Sequence, residues 1–277
     1  MMEDRKVVQH YDAGDLRERL RAALVQAGLE GTSLAPPKLA PLDQFHTRGL
    51  AATVELASLV GVETNARVLD IGSGLGGPAR YLAATFGCQV TGIDLSQSFV
   101  DAATYLTDQA GLGDSVHFQR ASAEALPFAD VSFDVLWTQH VAMNVADRPR
   151  MYREAFRVLR PGGRFAINDI VAGNGEPLHF PVPWSRTPET SFLLTPAAMR
   201  ALLEKQGFRV TSWHDRTEAA LAWSAEQQQA RANANGVPPP LGLHVAMGPD
   251  FPAMSANLAR NMREGRLGVV QAVMERP

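Results

Sequence analysis

The sequence has little cysteine, no long apolar run and no apolar leader. Cys88 is the single cysteine among 277 residues, which excludes a disulfide framework within the chain and suits a reducing compartment. We expect Cys88 to be a buried small hydrophobe rather than a reactive thiol. Apolar stretches stay shorter than the roughly 18 residues that a membrane helix needs, and residues 1–6 begin no apolar segment. These absences predict a cytoplasmic protein without a membrane partner.

Charge of one sign is scarce as well. The chain carries 26 Lys and Arg against 29 Asp and Glu, and both signs are spread along the sequence. A nucleic-acid backbone needs a basic cluster, so we expect no nucleic-acid partner. The His, Asp and Glu residues are not grouped at metal-ligand spacing, so no metal site is predicted. With 45% apolar residues, the length suits one globular domain with embellishments.

A glycine-rich segment is the most informative feature that the sequence contains. Residues 67–77 read Arg-Val-Leu-Asp-Ile-Gly-Ser-Gly-Leu-Gly-Gly, an apolar strand that runs into a turn, and residues 90–94 form a second strand that ends on Asp94. Glycines in the turn let the backbone approach a ligand and leave helix N–H groups facing it. An acid at the tip of the second strand is placed for a ribose diol. The pattern predicts a nucleoside-cofactor site.

Two nucleoside cofactors compete for this site. Gly72, Gly74 and Gly77 match the dinucleotide fingerprint, although a lone match of this kind has low specificity. Asp70 stands two residues before Gly72, where a carboxylate would repel a pyrophosphate and attract the ammonium of S-adenosylmethionine. The acid therefore favours S-adenosylmethionine, and a nicotinamide oxidoreductase is the lesser alternative.

Strands and helices alternate beyond this motif, as in an α/β sheet. Strands are predicted near 66–71, 89–94, 115–119, 132–137 and 163–171, and helices near 15–28, 47–60, 76–86, 97–110 and 148–159. Asp15 and Glu18 have the spacing of a capping box, and a Pro-rich linker over 35–41 follows the first helix. Thr195 and Pro196 begin a further helix that Gly207 ends. Strands near 208–214 and 267–275 would complete the sheet as an antiparallel pair.

Segments outside the alternation are predicted to cover the carboxyl edge of the sheet. Residues 173–194 lack periodicity and carry Phe180, Trp184 and Phe192, which is typical of a functional lid. The chain is therefore divided into a helical cap or lid over 1–62, a cofactor-binding core over 63–172, and a region over 173–277 with the lid loop, a helical insertion (217–264) and the closing strands. We predict that the lids become ordered when cofactor and substrate bind.

Further motifs identify a family resemblance. They are Ala123-Glu-Ala-Leu-Pro-Phe128, Phe133-Asp-Val-Leu-Trp137 and Val158-Leu-Arg-Pro-Gly-Gly-Arg-Phe165. With the glycine motif they resemble the class I S-adenosylmethionine-dependent methyltransferases. Leu42-Asp-Gln-Phe-His46, Gln139-His-Val-Ala-Met-Asn144, Phe180-Pro-Val-Pro-Trp-Ser-Arg-Thr-Pro-Glu-Thr190 and Leu241-Gly-Leu-His244 narrow the similarity to the sarcosine/dimethylglycine N-methyltransferase-like group, which is related to the ubiquinone-biosynthesis methyltransferases.

The resemblance implies a fold and a cofactor. The fold is α/β, a Rossmann-like seven-stranded methyltransferase sheet that is mostly parallel, with the last strand antiparallel, helices on both faces and a helical or loop lid. The cofactor is S-adenosyl-L-methionine, with S-adenosyl-L-homocysteine as product. The implied partner is a small-molecule methyl acceptor. Whether the protein forms a homodimer is left open.

The motif positions and the resemblance together predict the site residues. Those predicted to bind the cofactor are Gln44, His46, Asp70, Gly72, Ser73, Gly74, Asp94, Leu95, Ser122, Ala123, Glu124 and Gln139. Relatives carry an Asp that reaches the adenine amino group where this chain has Ser122, which offers a hydrogen bond without charge. A structural role is the alternative for Gln44 and His46.

The catalytic and substrate-binding predictions depend on the nature of the acceptor. His140 is the predicted proton acceptor, and Tyr11 is predicted to reach the transferred methyl from an N-terminal lid. The predicted substrate-binding residues are Tyr11, His140, Asn144, Trp184, Arg186 and His244. Arg186 would hold a carboxylate and Trp184 would face an alkylammonium, although Arg186 can equally form a loop salt bridge with Glu189.

The predicted reaction is direct in-line displacement, which needs alignment and exclusion of water. The leading acceptor is the nitrogen of an amino-acid-like amine of the sarcosine or dimethylglycine type. One alternative is a C- or O-methyltransferase of a larger natural product. Another is a cofactor-binding relative that catalyses a reaction other than methyl transfer, such as a cyclisation, or that acts only as a cofactor-bound partner.

Overall fold

A seven-stranded sheet lies at the centre of the computed structural model, which describes residues 7–8, 10–11, 15–29, 34–234 and 238–277. Its strands are β1 (Arg67–Ile71), β2 (Gln89–Asp94), β3 (Val116–Arg120), β4 (Phe133–Gln139), β5 (Leu159–Ala172), β6 (Arg209–Asp215) and β7 (Leu267–Glu275). They lie in the order β3-β2-β1-β4-β5-β7-β6. The pairs from β3 to β5 are parallel, whereas β7 runs antiparallel to both β5 and β6. This topology confirms the predicted fold class.

Helices cover both faces of the sheet. In the described residues they are α1 (Leu16–Gln26), α2 (Pro36–Asp43), α3 (Gly49–Val60), α4 (Gly77–Phe86), α5 (Gln97–Gln109), α6 (Arg148–Val158), α7 (Pro196–Lys205), α8 (Thr217–Asn233), α9 (His244–Met247) and α10 (Phe251–Arg263). The predicted helix starts are present: Asp15 accepts a hydrogen bond from Glu18 N, and Thr195 accepts one from Ala198 N. Parts of the predicted N-terminal lid (1–6, 9, 12–14 and 30–33) lie outside the described residues.

Two elements differ from the sequence-based prediction. The segment read as a Pro-rich linker is the helix α2, in which Pro36 and Pro37 lie in the first turn, where a proline loses no hydrogen bond, and Pro41 lies in the interior. Strand β5 begins at Leu159 rather than near 163, since Leu159 already pairs with Phe133. The register then shifts, and Gly162 adopts a φ of 71° in the irregular stretch. Both differences arise from tertiary pairing that periodicity does not report.

The central strands are buried on both faces, as parallel strands under two helical layers require. Neighbouring residues of β1 point to opposite faces of the sheet: Leu69 packs in one core cluster and Val68 in another. Cys88 is fully buried in the second cluster, and burial raises the pKa of its thiol to about 11, in agreement with the prediction of an inert residue. Within the described residues, no helix has the length and apolar character to cross a membrane.

The connection over 173–194 is held in place by hydrogen bonds to two other parts of the chain, the loop that follows β4 and the insertion. Phe192 N donates to Met143 O at 2.7 Å, and Asn144 Nδ2 donates to Trp184 O at 2.9 Å. From the insertion, Asn257 Nδ2 donates to Pro181 O at 2.9 Å. The segment therefore forms a fixed wall above the sheet in this structure, and its ordering on ligand binding stays a prediction.

Candidate active site

A cavity of about 1200 Å³ opens at the carboxyl edge of the sheet. Most predicted site residues line it: Tyr11, Gln44, His46, Gly72, Gly74, Asp94, Leu95, Ser122, Ala123, Glu124, Gln139, His140, Asn144, Trp184 and His244. Asp70, Ser73 and Arg186 are not part of its lining. Drug-sized ligands occupy pockets of about 300–1000 Å³, so this cavity has room for two ligands side by side.

The glycine turn after β1 forms one wall of the cavity. Gly72 and Gly74 have φ values of 72° and 52°, which side chains rarely tolerate. A Cβ atom on Gly72 would lie only 2.3 Å from Cγ2 of Val141, so the turn packs directly against the loop that follows β4. The glycines thus bring the ends of β1 and β4 together at the floor of the cavity.

Asp94 is fixed at the tip of β2 by two backbone donors. Gly74 N donates to Oδ2 at 3.0 Å and Ser96 N donates to Oδ1 at 2.9 Å. Burial raises the pKa of the carboxyl group, whereas these hydrogen bonds oppose that shift. Each oxygen keeps a further lone pair, and Asp94 lines the cavity, so its carboxylate can accept hydrogen bonds from the diol of a ribose.

Asp70 is buried behind the glycine turn. Its side chain is 2% exposed, and Oδ2 has no hydrogen-bond partner among the described residues. Burial, and secondly the nearby Asp94, raise the pKa of Asp70 to about 8. Burial therefore favours the protonated form of this carboxyl group, and its contact with the ammonium of the cofactor stays a prediction. Ser73 is buried too, and its hydroxyl is unpartnered within the described residues.

The adenine end of the predicted site follows β3. Ser122 Oγ accepts a hydrogen bond from Glu124 N at 3.2 Å, so the hydroxyl already has one backbone partner. Glu124 Oε1 in turn accepts from Asp147 N at 3.2 Å. Leu95 and Ala123 supply apolar lining beside them. This part of the cavity can surround a flat ring with apolar contacts and few charged groups.

His140 directly follows β4 in a strained conformation. Its φ is 54°, a left-handed value that is uncommon outside glycine. Two hydrogen bonds hold the turn: His140 N donates to Asn168 O, and Val141 N donates to Asp169 Oδ1, both at 2.9 Å. These bonds present the imidazole to the cavity, where Nε2 lies 3.4 Å from Thr47 Oγ1.

The His140 ring is a neutral base in this setting. Burial lowers its pKa well below the usual value, and the neighbouring His46 lowers it further. The two rings meet edge to face with centroids 6.0 Å apart. His46 itself has its pKa lowered to about 4 by burial. At neutral pH both rings are therefore uncharged, and His140 can accept a proton from a bound molecule.

Tyr11 and Asn144 join the N-terminal segment to the loop after β4. The Tyr11 hydroxyl donates to Asn144 Oδ1 at 3.0 Å, and its ring meets Phe99 edge to face. Burial raises the pKa of Tyr11, so the phenol stays protonated. The side-chain nitrogen of Asn144, Nδ2, donates hydrogen bonds to Trp184 O and Thr190 O. Both residues line the cavity, and their hydrogen bonds also connect separate segments of the chain.

The two predicted substrate residues of the long connection differ in position: Trp184 lines the cavity, whereas Arg186 does not. Trp184 is 1% exposed, and its Nε1 donates to Ser191 Oγ at 2.9 Å. Arg186 lies at the surface, with its guanidinium 2.8 Å from Asp250 rather than in the cavity. This position speaks against the predicted carboxylate clamp, because the side chain is about half exposed and already paired.

The far half of the cavity is mainly apolar and was not recognised from the sequence. Its lining comes largely from the insertion and includes Trp223, Leu241, Leu243, Met247, Phe251 and Leu258. Two arginines also line the cavity: Arg48, which pairs with Glu55 at 2.5 Å, and Arg231, whose guanidinium lies 5.9 Å from the Phe251 ring centroid. Among the described lining residues the carboxylates are Asp94 and Glu124, and both belong to the cofactor half.

Thr53 is a further residue that the sequence analysis missed. It is fully buried in α3, and its hydroxyl lies within hydrogen-bond distance of Gln44, His46 and Gln139. Only its place seven positions after His46 on a helix could have suggested it.

Comparison with known proteins agrees with this geometry. Residues 69–167 match the family model described as a methyltransferase domain. The chain is 39% identical over 132 residues to the 27-O-demethylrifamycin SV methyltransferase of Amycolatopsis mediterranei, which covers 48% of this chain and 47% of that protein. It is 33% identical over 150 residues to the sarcosine/dimethylglycine N-methyltransferase of Halorhodospira halochloris, which covers 54% of each.

A solved structure of similar shape is that of the [4+2]-cyclase SpnF. The TM-score is 0.70 at 23% identity, and the match covers 99% of this chain and 97% of that chain. At this identity the likeness concerns the fold alone.

The family match over residues 69–167 and the relatives confirm the recognition made from the sequence, a resemblance to the S-adenosylmethionine-dependent methyltransferases. At the level of the family this also confirms the predicted enzyme class and cofactor. The chain spans about half the length of the curated relatives it matches. Those relatives are named for different acceptors, so the family leaves the acceptor open.

Proposed function

We propose that this protein transfers a methyl group from S-adenosylmethionine to an oxygen or carbon nucleophile of a mainly apolar small molecule. The observation that carries the proposal is the acceptor half of the cavity. It is lined mainly by large apolar side chains, together with the polar Ser224, Gln227 and Gln228 and two arginines, and no carboxylate of the described lining lies among them. The neutral His140 stands where this half meets the cofactor half.

The residues at the sheet edge suit the cofactor from one end to the other. Ser122, Ala123 and Leu95 at the ends of β3 and β2 would surround the adenine, and Asp94 at the tip of β2 would accept from the ribose hydroxyls. Because β1 lies between β2 and β4, the amino-acid tail would then lie near Gly72, Gln139 and Gln44. Bound S-adenosylmethionine supplies an electrophilic methyl group on a sulfonium.

The chain's own contribution to the reaction is alignment and proton acceptance. A hydroxyl or acidic C–H nucleophile must lose its proton, and the uncharged His140 can accept it. The wall formed by Tyr11, Asn144 and Trp184 keeps water away from the reacting atoms. Arg231 would favour an acceptor that is neutral or anionic, whereas the charge of Arg48 is already balanced by Glu55.

An amino-acid-like amine, the leading expectation from the sequence, receives less support from this geometry. Its ammonium form would meet no carboxylate from the described lining of the acceptor half, and Arg186, the predicted partner of its carboxylate, lies at the surface. Sarcosine would also leave most of the apolar surface of a 1200 Å³ cavity uncovered.

Transfer of a tritiated methyl group into a panel of acceptors tests the proposal. The panel contains apolar phenols, enolisable ketones, sarcosine and dimethylglycine. We expect label in phenols or ketones and none in the amines, and Arg186→Ala should leave the result unchanged. Label in sarcosine or dimethylglycine alone would restore the amine assignment.

The cofactor site needs a separate measurement. Asp94→Asn keeps a hydrogen-bond acceptor for one backbone N–H and removes the charge that faces the ribose. Each charge-assisted hydrogen bond contributes about 1.5–3 kcal/mol, so calorimetry should show a loss of S-adenosylhomocysteine affinity of at least tenfold. Tight NAD binding by the parent protein, or an unchanged affinity in the variant, would refute the cofactor assignment. Binding without transfer to any acceptor would favour the non-transferring alternative.

A further inference from the structure

Thr53 lies at the centre of a buried polar cluster beneath the cavity. Its hydroxyl is 2.7 Å from Gln44 Oε1, 3.1 Å from Gln139 Oε1 and 3.1 Å from His46 Nε2. The side chain is 0% exposed, so water cannot replace any of these partners. One hydroxyl thus connects three side chains that line the cavity.

The orientation of the Gln139 amide follows from its two neighbours. Trp137 Nε1, which can only donate, lies 2.9 Å from Gln139 Oε1, and the Thr53 hydroxyl approaches the same oxygen. The oxygen Oε1 therefore faces Trp137 and Thr53, and Nε2 points to the opposite side of the amide. Gln139 Nε2 is buried without a hydrogen-bond partner among the described residues, although an unpaired buried donor is destabilising.

An amide donor held in this way requires an oxygen acceptor that a ligand brings. Gln139 is the last residue of β4 and lies next to the glycine turn that follows β1. The predicted adenine end of the cavity lies at β3 and Asp94 at the tip of β2, so Gln139 lines the part of the cavity on the other side of Asp94. Under the proposed function this is where the amino-acid tail of the cofactor lies. A carboxylate has only acceptors, which matches the unpaired N–H groups of Gln139.

We infer that Thr53 is a positioning residue that orients Gln139, whose Nε2 binds the carboxylate of the cofactor's amino-acid tail. This inference rests on the proposed cofactor but not on the acceptor. Gln139 touches the ligand, and Thr53 acts through it. His46, whose Nε2 also donates to Gly49 O at 3.0 Å, is tied into the same cluster.

Calorimetry with two cofactor analogues tests the inference without any turnover. S-adenosylhomocysteine carries the carboxylate, whereas its decarboxylated form keeps the ammonium and lacks the carboxylate. Thr53→Val removes the hydroxyl at nearly constant volume and should weaken S-adenosylhomocysteine binding roughly tenfold while changing the decarboxylated analogue little. Thr53→Ser keeps the hydroxyl and should restore the parent preference.

Gln139→Glu provides a second variant that does not depend on Thr53. It replaces the N–H donors by an oxygen of similar size and should weaken S-adenosylhomocysteine more than the decarboxylated analogue. Thermal melts of each variant report whether it folds. Equal losses for both analogues in folded variants, or no loss, would overturn the inference and leave the proposed function intact. A parent protein that binds neither analogue would remove the proposed cofactor as well.

Discussion

The Tyr11 hydroxyl donates a hydrogen bond to Asn144 Oδ1 at 3.0 Å and so joins the N-terminal segment to the loop that follows β4. We expect Tyr11→Phe to keep the ring contact with Phe99 and to weaken this attachment by about 0.5–1.5 kcal/mol. Amide exchange in residues 15–29 should become faster, and KM should rise several-fold with little change in kcat.

A catalytic role for the Tyr11 hydroxyl predicts the opposite pattern of kinetics. In that case Tyr11→Phe would lower kcat a hundredfold or more, at roughly constant KM. Tyr105→Phe is a matched control, because Tyr105 packs beside Arg17 away from the cavity.

The low pKa of His140 leads to a prediction about how kcat/KM depends on pH. A base is active when it is deprotonated, so its activity is present above its pKa and is lost as the pH falls through it. Since burial and His46 both lower this pKa, the acid limb of kcat/KM should lie below pH 6.5, and the rate should be level from there to neutral pH.

Substitution of the two histidines tests this assignment. His140→Gln should slow transfer by about 10²–10⁴-fold and abolish the acid limb. His46→Asn removes a neighbour that depresses the pKa, so the limb should move to higher pH. An acid limb that stays unchanged in His140→Gln would assign the titration to another group.

Asp70 makes the stability of the ligand-free protein depend on pH. Its pKa is raised to about 8 in the folded state, so folding favours the protonated carboxyl group. The stability that this proton contributes is complete below the unfolded pKa of about 3.9 and is lost as the pH rises toward 8. Asp70→Asn, which resembles the protonated acid, should therefore gain stability relative to the parent at pH 8.5.

Urea unfolding at two pH values measures this effect. The difference between parent and Asp70→Asn should be larger at pH 8.5 than at pH 5.5. An equal difference at both values would show that Asp70 is charged in the folded protein.

Two arginine–aspartate pairs with nearly equal N–O distances should contribute very differently to the free energy of unfolding. Arg80 lies 2.7 Å from Asp43 with both side chains almost fully buried, and Arg186 lies 2.8 Å from Asp250 with both about half exposed. Arg80→Met leaves the buried Asp43 without its partner and should destabilise the protein by about 3–5 kcal/mol. Arg186→Ala should cost no more than about 1 kcal/mol.

Chemical denaturation measures both values. The double variant Arg80→Met/Asp43→Leu should recover most of the lost stability, because an apolar pair leaves no buried charge. Loss of transfer activity in a stable Arg186→Ala protein would instead restore its predicted role in substrate binding.

Local patterns predicted the backbone of the glycine turn and of the neighbouring strand ends. The turn around Gly72 and Gly74 needs positive φ values that favour glycine, and the acid at Asp94 directly follows an apolar strand. Because such signals lie within a few residues of one another, the chain itself determines their geometry. The same holds for the start of α7 at Thr195 and for the buried face of α1.

Contacts between distant segments decided the rest. The partner of Arg186 is Asp250 rather than Glu189, which stands only three positions away along the chain, since the insertion folds onto the long connection. Thr53 acquires its importance only when α3 packs against the end of β4 and Gln139 comes within 3.1 Å. The burial of Asp70 behind the glycine turn, which raises its pKa, likewise depends on how the turn packs against neighbouring elements. Sequence spacing thus determined which backbone could hold a nucleoside, whereas packing between distant elements determined desolvation, hydrogen-bond partners and the shape of the acceptor half.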